Sequence, residues 1–504
     1  MATITLYPSG NPVDHATSDT KNIQAAIDGA SDGDVIELKA RKLADEPSGP
    51  VTPYVLGDTL GAYTGVGTAK KVIVARDGVA IGAPFDFPSL FPAGNQVYRQ
   101  PIHLNKAVTL LGDSDSNGDA LTQIRHNKNR LAPFGTRDFA PILGYNKFAT
   151  VMNIHFEDMA SCSMFFMHPG RISNCTFVRC TGFAGVMWVD NRTTYAGFAT
   201  GDFSDPYLTY MEDCKLIAPI QSPFIYSSGW VIRDCDIDSS TSFSNAGTAF
   251  VMQGGKCWGR LSVIPGTSLE GFGGNLVIDY CMDNRLEYNT VRNQQPFLVV
   301  QSFYNGICRN NKVCGNTSEW VYPDLNVEAA SPVVLVTNPA AAPAIAALGV
   351  PEVSNIEISD NVFTGYDNAL FVVSNPQGTT PVLVHDCLWT RNASVRGGYT
   401  RFNPEVILVS CSGILCVKND YTESGAPGLA ASDPWSGNTH YLFEECSDSL
   451  VFDSGGFPPG QGGASNHVTD VGVNNRIVGE PPSTTGATGV GQLYSASDFG
   501  PCES

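Results

Sequence analysis

Charge is scarce in this sequence and unevenly signed. Only 16% of the 504 residues are Asp, Glu, Lys or Arg, and 49 acidic side chains face 30 basic ones, a net charge of −19. A chain that short of positive charge repels a phosphate backbone, so nucleic acid is not an expected partner. Long apolar runs are missing as well. The longest uncharged one, Pro332 to Val350, is broken by Asn338, Pro339 and Pro343, whereas a spanning helix needs about 20 cleaner residues, so no membrane insertion is expected. The opening MATITLYPSG has neither a basic n-region nor an apolar h-region. No signal peptide is therefore expected in it, and an extracellular or virion-associated location is favoured without being fixed. The 14 cysteines include no CxxC pair, which removes support for zinc ribbons and thioredoxin-like redox motifs. No GxGxxG, P-loop, HExxH or GxSxG stands in a supporting context. What is plentiful is turn-forming residues, 51 Gly and 32 Pro, beside 42% hydrophobic residues. That composition suits a folded, all-β body.

A short phrase recurs: an apolar residue, a variable one, Asn or Asp, then Cys or Asn, a variable one and an apolar one. It reads ISNCTF at 172–177, MEDCKL at 211–216, IRDCDI at 232–237, LEYNTV at 286–291, CRNNKV at 308–313, ISDNVF at 358–363 and VHDCLW at 384–389. Weaker copies bring the series of fourth positions to Ile154, Cys175, Cys214, Cys235, Asn289, Asn311, Asn361, Cys387, Asn419 and Cys446. Most spacings are 21 to 27 residues, and the longer ones fit a rung plus an insertion, or two rungs. A strand-rich period of that length predicts a parallel β-helix, with each coil stacked on the last at about 4.8 Å. Equivalent residues then lie over one another, and Cys175, Cys214, Cys235, Cys387 and Cys446 are expected as buried thiols in one turn column.

Asn22–Asp28 spaces Ile23, Ala26 and Ile27 at helical intervals, and Gly33–Leu38 alternates like a strand. A short helix would cover the open first edge of such a solenoid. The phrase NIQAAIDGASDGDVIEL resembles the N-terminal cap and first strand of the right-handed parallel β-helix superfamily that includes pectate lyases, and VTLLGD (108–113) is similar to its first full coil. The resemblance covers roughly residues 20 to 450 and implies the fold, not one activity.

In the look-alike families the strand about ten residues after the turn holds the ligand. The strands aligned here are Met164–His168, Val186–Asp190, Phe224–Ser228, Phe250–Gly254, Leu298–Ser302 and Leu370–Ser374. Alternation places Phe166, Trp188 and Tyr226 on the outer face, beside His168, Asp190 and Ser228, where aromatic rings suit the flat faces of sugars. A one-residue slip would put these aromatics in the core instead. Two inserted loops follow, one with Arg192, Tyr195, Asp202 and Asp205, the other with Lys256, Trp258, Arg260 and Glu270. They carry either chemistry or surface decoration. Asp190 with Asp202, Asp205 or Glu270 could supply the two carboxylates of glycoside hydrolysis. His168, Arg192, Lys256 and Arg260 could supply the base and cations of β-elimination on a uronate. Trp188-Val189-Asp190-Asn191 is similar to the W-I-D-H phrase of pectate lyases. However, Asn191 replaces the His, that family's paired-arginine phrase is missing, and the Gly-His-Gly and Arg-Ile-Lys of polygalacturonases are absent. Neither activity carries over.

Asp113, Asp115, Asn117 and Asp119 set oxygens at alternate positions around Gly118, like the first half of an EF-hand loop, but Ile124 stands where the bidentate Glu is required. A partial calcium loop and an ordinary acidic turn are the two readings; no cofactor is otherwise required. Residues 39 to 100 are expected as loops over the first coils, and Ala329–Pro351 as an apolar insertion suited to an oligomer contact. The expected domains are a β-helix over 1–454 and an irregular Gly/Pro/Ser-rich C-terminal cover over 455–504, with short strand-like pieces such as Asn475–Val478. The leading expectation is a carbohydrate-active enzyme that cleaves a polysaccharide or oligosaccharide. Hydrolysis stands ahead of elimination, because the loops carry as many carboxylates as cations and an acidic chain suits a neutral glycan. The alternative is a non-catalytic structural or glycan-binding β-helix of a phage particle or cell surface. A homotrimer fits both.

Overall fold

The structure, a computed structural model, describes residues 1–9, 19–43, 48–56, 71–76, 79–80, 85–86, 96–99, 102–126, 142–144, 147–159, 164–166, 170–180, 209–217, 224–225, 229–238, 249–254, 280–293, 296–303, 307–320, 331–338, 352–366, 369–374, 384–396, 406–423, 441–452, 468–470, 473–478 and 492–494. They fall into two compact units: Met1–Asn245 with Gly255–Asp279, and Ala246–Gly254 with Tyr280–Ser504. Each is wound from short parallel strands whose partners lie a coil away. The fold is a right-handed parallel β-helix.

In the first unit one ladder runs through Thr3–Leu6, Val35–Leu38, Thr109–Gly112, Ala149–Met152, Gly170–Ser173, Thr209–Glu212 and Trp230–Arg233. A second runs through Tyr54–Leu56, Thr122–His126, Ile154–Glu157, Thr176–Val178, Lys215–Ile217 and Asp236–Asp238. The register lines up Ile36, Leu110, Val151, Ile172, Met211 and Ile232 along the first ladder. None of the six is more than 1% exposed, so one residue type at one strand position builds a continuous core. In the second ladder the rings of Phe156 and Phe177 stack at 5.1 Å.

The expected helix forms at Asp19–Gly29 and buries Ile23, Ala26 and Ile27. Its Gln24 does what an edge requires: the His103 backbone N–H donates to Gln24 Oε1 at 2.7 Å, and Gln24 Nε2 donates back to the His103 carbonyl at 3.4 Å. The strand Ile102–Leu104 is thereby paired by a side chain. Asp19 accepts from the backbone N–H groups of Ser9 and Val55, tying the helix start to the first coil.

In the second unit Arg285–Glu287, Lys312–Cys314, Glu357–Ser359, Leu388–Thr390, Leu415–Val417, Leu450–Phe452, Arg476–Val478 and Gln492–Tyr494 form one ladder. Another comprises Phe250–Gly254, Leu298–Phe303, Val333–Asn338, Leu370–Ser374, Val406–Val409, Tyr441–Glu444 and Val468–Asp470. A short ladder of Tyr280–Met282, Ile307–Arg309, Glu352–Ser354 and Val384–His385 leads into the main turn of each coil.

The recurring phrase works through backbone conformation. Its Asn or Asp adopts the left-handed region, at φ of 49° to 57° for Asn153, Asn174, Asp213 and Asp234. Asn and Asp tolerate that region better than other side-chain-bearing residues do. The next residue is thrown inward and buried, as Ile154, Cys175, Cys214 and Cys235 are. The single column splits, however. Asn311 and Cys387 belong to the turn before the long ladder, Asn289, Asn361 and Asn419 to the turn after it, and Cys446 to a third corner, where its sulfur lies 3.3 Å from that of Cys411. All three corners impose the same local demand, so the phrase alone does not say which corner it marks. The burial of the five thiols holds: each is free and buried.

Two further segments differ from expectation. Val333–Asn338, inside the stretch read as an insertion, is a core strand paired with Leu298–Phe303 and Leu370–Ser374, because Val333, Leu335 and Thr337 alternate inward. Residues 339–351 lie outside the described residues. Lys71–Arg76 pairs with Val79–Ala80, Phe85–Asp86 and Gln96–Arg99 in a small sheet, as its β-branched run favours. Past residue 455, Arg476–Val478 forms where a strand-like piece was expected, and with Val468–Asp470 and Gln492–Tyr494 it continues existing ladders.

Candidate functional site

His168, Trp188, Asp190, Arg192, Asp202, Asp205, Tyr226, Lys256, Trp258, Arg260 and Glu270 lie outside the described residues. Phe166 is described through its backbone, which pairs with Gly144 in a ladder where Gly144 in turn pairs with the buried Leu104.

The loop Asp113–Asp119 is fully described. Asp115 Oδ1 accepts the backbone N–H groups of Asn117 and Asp119, closing the turn on itself. Asp113 pairs with Lys39 at 3.2 Å and accepts the Ala40 N–H at 2.8 Å, while Asp119 pairs with Lys215 at 2.5 Å. Asn174 Nδ2 donates to the Gly118 carbonyl. These contacts fasten the loop across neighbouring coils. Among the described residues no group of three or more His, Cys, Asp or Glu side chains is disposed to hold a metal ion.

Chemistry gathers instead on the short ladder of the second unit. Its strands alternate, and Cys281, Cys308, Val353 and Val384 form the inward column, each 0% exposed. Alternation puts Arg309, Ser354 and His385 on the other face, in register on three successive coils, with Ser354 itself fully buried beneath its neighbours. Glu352, two residues before Ser354, shares that face. Ser354 Oγ donates to Glu352 Oε1, which also lies 3.8 Å from His385 Nε2. The other edge of the imidazole, Nδ1, is 2.8 Å from Asp386 Oδ2. One histidine ring thus stands between two carboxylates from different coils.

Asp386 occupies a left-handed turn position, φ 53°, and needs room on the next coil. Gly413 provides it: a Cβ there would meet Asp386 Oδ1 at 2.6 Å, and its own φ of +62° disfavours a side chain anyway.

Two coils before Glu352, Asp283 holds the equivalent turn position. Burial pushes its carboxyl above the ordinary value, against a hydrogen bond from Asn310 and the charges of Arg309 and Arg285. Arg309, on the intervening coil, has its Nε buried without a hydrogen-bond partner among the described residues. The strip therefore offers a carboxyl raised by burial, a cation, and a carboxylate close to an imidazole. Sequence reading missed it, although a signal existed: Glu352-Val353-Ser354 and Val384-His385 alternate polar with apolar just ahead of recognised turn phrases.

No family profile matches the sequence, and no curated protein matches it. Solved structures do. A mutant tailspike protein of E. coli bacteriophage HK620 aligns with 98% of this chain and 76% of its own, at 13% identity and a TM-score of 0.46. A further mutant of that tailspike, in complex with a hexasaccharide, aligns with 98% and 76% at 12% identity and a TM-score of 0.42. The Agl-KA catalytic domain aligns with 88% of this chain and 63% of its own, at 11% identity and a TM-score of 0.42. At such identities the likeness is one of fold alone.

Proposed function

We propose that this protein binds a polysaccharide or oligosaccharide along its outer strands and hydrolyses a glycosidic bond there. The observation that carries the reading is the strip Asp283, Glu352, His385 and Asp386, where burial raises one carboxyl and an imidazole serves the others. Glycoside hydrolysis needs one carboxyl to protonate the leaving oxygen and a second to activate water. Asp283 fits the first part, because a raised carboxyl keeps its proton to higher pH. Glu352, beside His385, fits the second. Asp283 lies two coils before Glu352 and level with Asn355, three residues past it, so the two carboxyls must reach toward each other for a single water to lie between them, as inversion requires. The loops carrying Asp190, Asp202, Asp205 and Glu270 are the other proposed source of carboxylates, with His168, Arg192 and Lys256 as accessory groups and Phe166, Trp188, Tyr226, Trp258 and Arg260 as sugar contacts.

Incubation with a glycan panel tests this. Hydrolysis releases new reducing ends, and elimination releases unsaturated ends that absorb ultraviolet light. Glu352→Gln and Asp283→Asn are each expected to lower turnover by about 100-fold or more, with the melting temperature held within a few degrees. If Asp190→Asn alone abolishes turnover, the site lies in the inserted loops.

A non-catalytic binding or structural role is the second reading. It is favoured by the outward column Val299, Val334, Phe371 and Ile407, an apolar row in register on four coils and only half-buried. Side-by-side association, with a homotrimer as the expected form, would cover it. A monomer by light scattering rejects association, and silence across the glycan panel with retention on a host surface favours the binding role.

A further inference from the structure

We infer that a second copy of this chain packs face to face on the long ladder of the second unit, with the coils of the two copies running antiparallel. The inference is independent of the glycan reading and uses a face other than the Val299 column. Three leucines carry it. Leu388, Leu415 and Leu450 occupy one outward column, in register on three successive coils, and Leu415 is 38% exposed. A single exposed leucine is ordinary on a protein surface, whereas a row held level by ladder pairing makes a patch. Val417 and Phe452, two positions along the same strands and half-buried, widen it.

Opposite charges close the column at its two ends. Glu357 lies on the coil before Leu388, and Arg476 on the coil after Leu450. Four coil steps separate them, roughly 19 Å, too far for a contact within one chain. Glu357 meets Lys312 at 3.2 Å yet keeps 37% of its side chain exposed, and Arg476 is exposed too. The first ladder of the other unit is built differently. There Glu212 lies 2.6 Å from Arg233 and 3.6 Å from Arg171, so opposite charges meet directly on neighbouring coils.

A two-fold axis lying along the Leu415 strand makes this pattern its own complement. Leu415 then faces its own copy, Leu388 faces the partner's Leu450, and Glu357 faces the partner's Arg476, with each unlike contact made twice. The parallel arrangement would set Glu357 against Glu357 and Arg476 against Arg476, and like charges reject it. Burial of the leucine row supplies the attraction, and the two end charges choose the direction.

Sedimentation velocity of the full chain across the micromolar range tests the inference, and a dimer is expected. Arg476→Glu and Glu357→Arg each place like charges at both ends of the column, and each is expected to raise the dissociation constant by about tenfold or more. Mixed in equal amounts, the two variants regain both matches, and a heterodimer is expected at close to the wild-type affinity. Should a charge variant fail to fold, Leu415→Glu sets two carboxylates together on the two-fold axis from an exposed position and is expected to give a monomer. A wild-type monomer or trimer overturns the inference. So do variants that dimerise as well as the wild type, or a mixture that stays monomeric. All of these outcomes are read without a sugar, so they leave the glycan reading standing.

Discussion

The same turn is built with thiols in the first unit and with amides in the second. In the second, Asn289, Asn316, Asn361, Asn392 and Asn419 follow one another: each of the first four gives its backbone N–H to the next Oδ1 at 2.9 to 3.1 Å. The Nδ2 of Asn316, Asn361, Asn392 and Asn419 donates to the carbonyl three residues before the previous asparagine, at 2.9 to 3.1 Å. In the first unit, Cys214 and Cys235 reproduce both contacts. The Cys175 and Cys214 backbone N–H groups bond to the next sulfur, and the thiols reach the Ile172 and Met211 carbonyls at 4.0 and 3.7 Å. The turn therefore needs a small inward side chain that both accepts and donates. Sulfur meets the need at longer range and weaker polarity, whereas the amide adds a side-chain ladder of its own.

The sharpest way to break the comparison is Asn361→Ala. It orphans the Asn316 backbone N–H inside the core and removes a side-chain donor from the Val313 carbonyl, with an expected loss of about 2–4 kcal/mol in denaturant unfolding. A loss near zero would mean that the amide ladder is ornamental.

Raising the pH should separate the two turns next. Burial lifts the Cys214 and Cys235 thiols well above their ordinary value of 9.0. The unfolded thiol ionises from about pH 9 upward while the folded one keeps its proton, so stability is intact below that pH and falls above it. The slope is about 1.4 kcal/mol per pH unit for each thiol. Asparagine has no such dependence, and Cys214→Asn should flatten the alkaline limb in a melting series.

A smaller effect is expected for Asn316→Cys, about 1 kcal/mol, because sulfur still accepts the Asn289 N–H. If it costs as much as Asn316→Ala, the two turns are not equivalent. Smallest of all, reductant should leave electrophoretic mobility and melting unchanged, since the 11 described cysteines are free. A mobility shift would require a disulfide.

The turn phrase was readable because it encodes a local conformation: Asn or Asp for positive φ, then a small buried residue. Asn316 and Asn392 escaped because each combines a residue other than Asn or Asp at the left-handed position, Gly315 or Arg391, with a serine, Ser318 or Ser394, where the phrase ends on an apolar residue. The candidate strip was far less legible. Arg309 and Ser354 are 45 residues apart in sequence, and only the stacking of coils makes them neighbours.

By itself, then, the sequence determined the coil, its capping helix and the burial of its thiols, because period, alternation and left-handed propensity act within a few residues. Which corner each phrase occupies, and which polar groups meet on the outside, depended on insertion lengths between coils. Those lengths change which rungs become neighbours without altering any local preference, so only the tertiary structure could decide them.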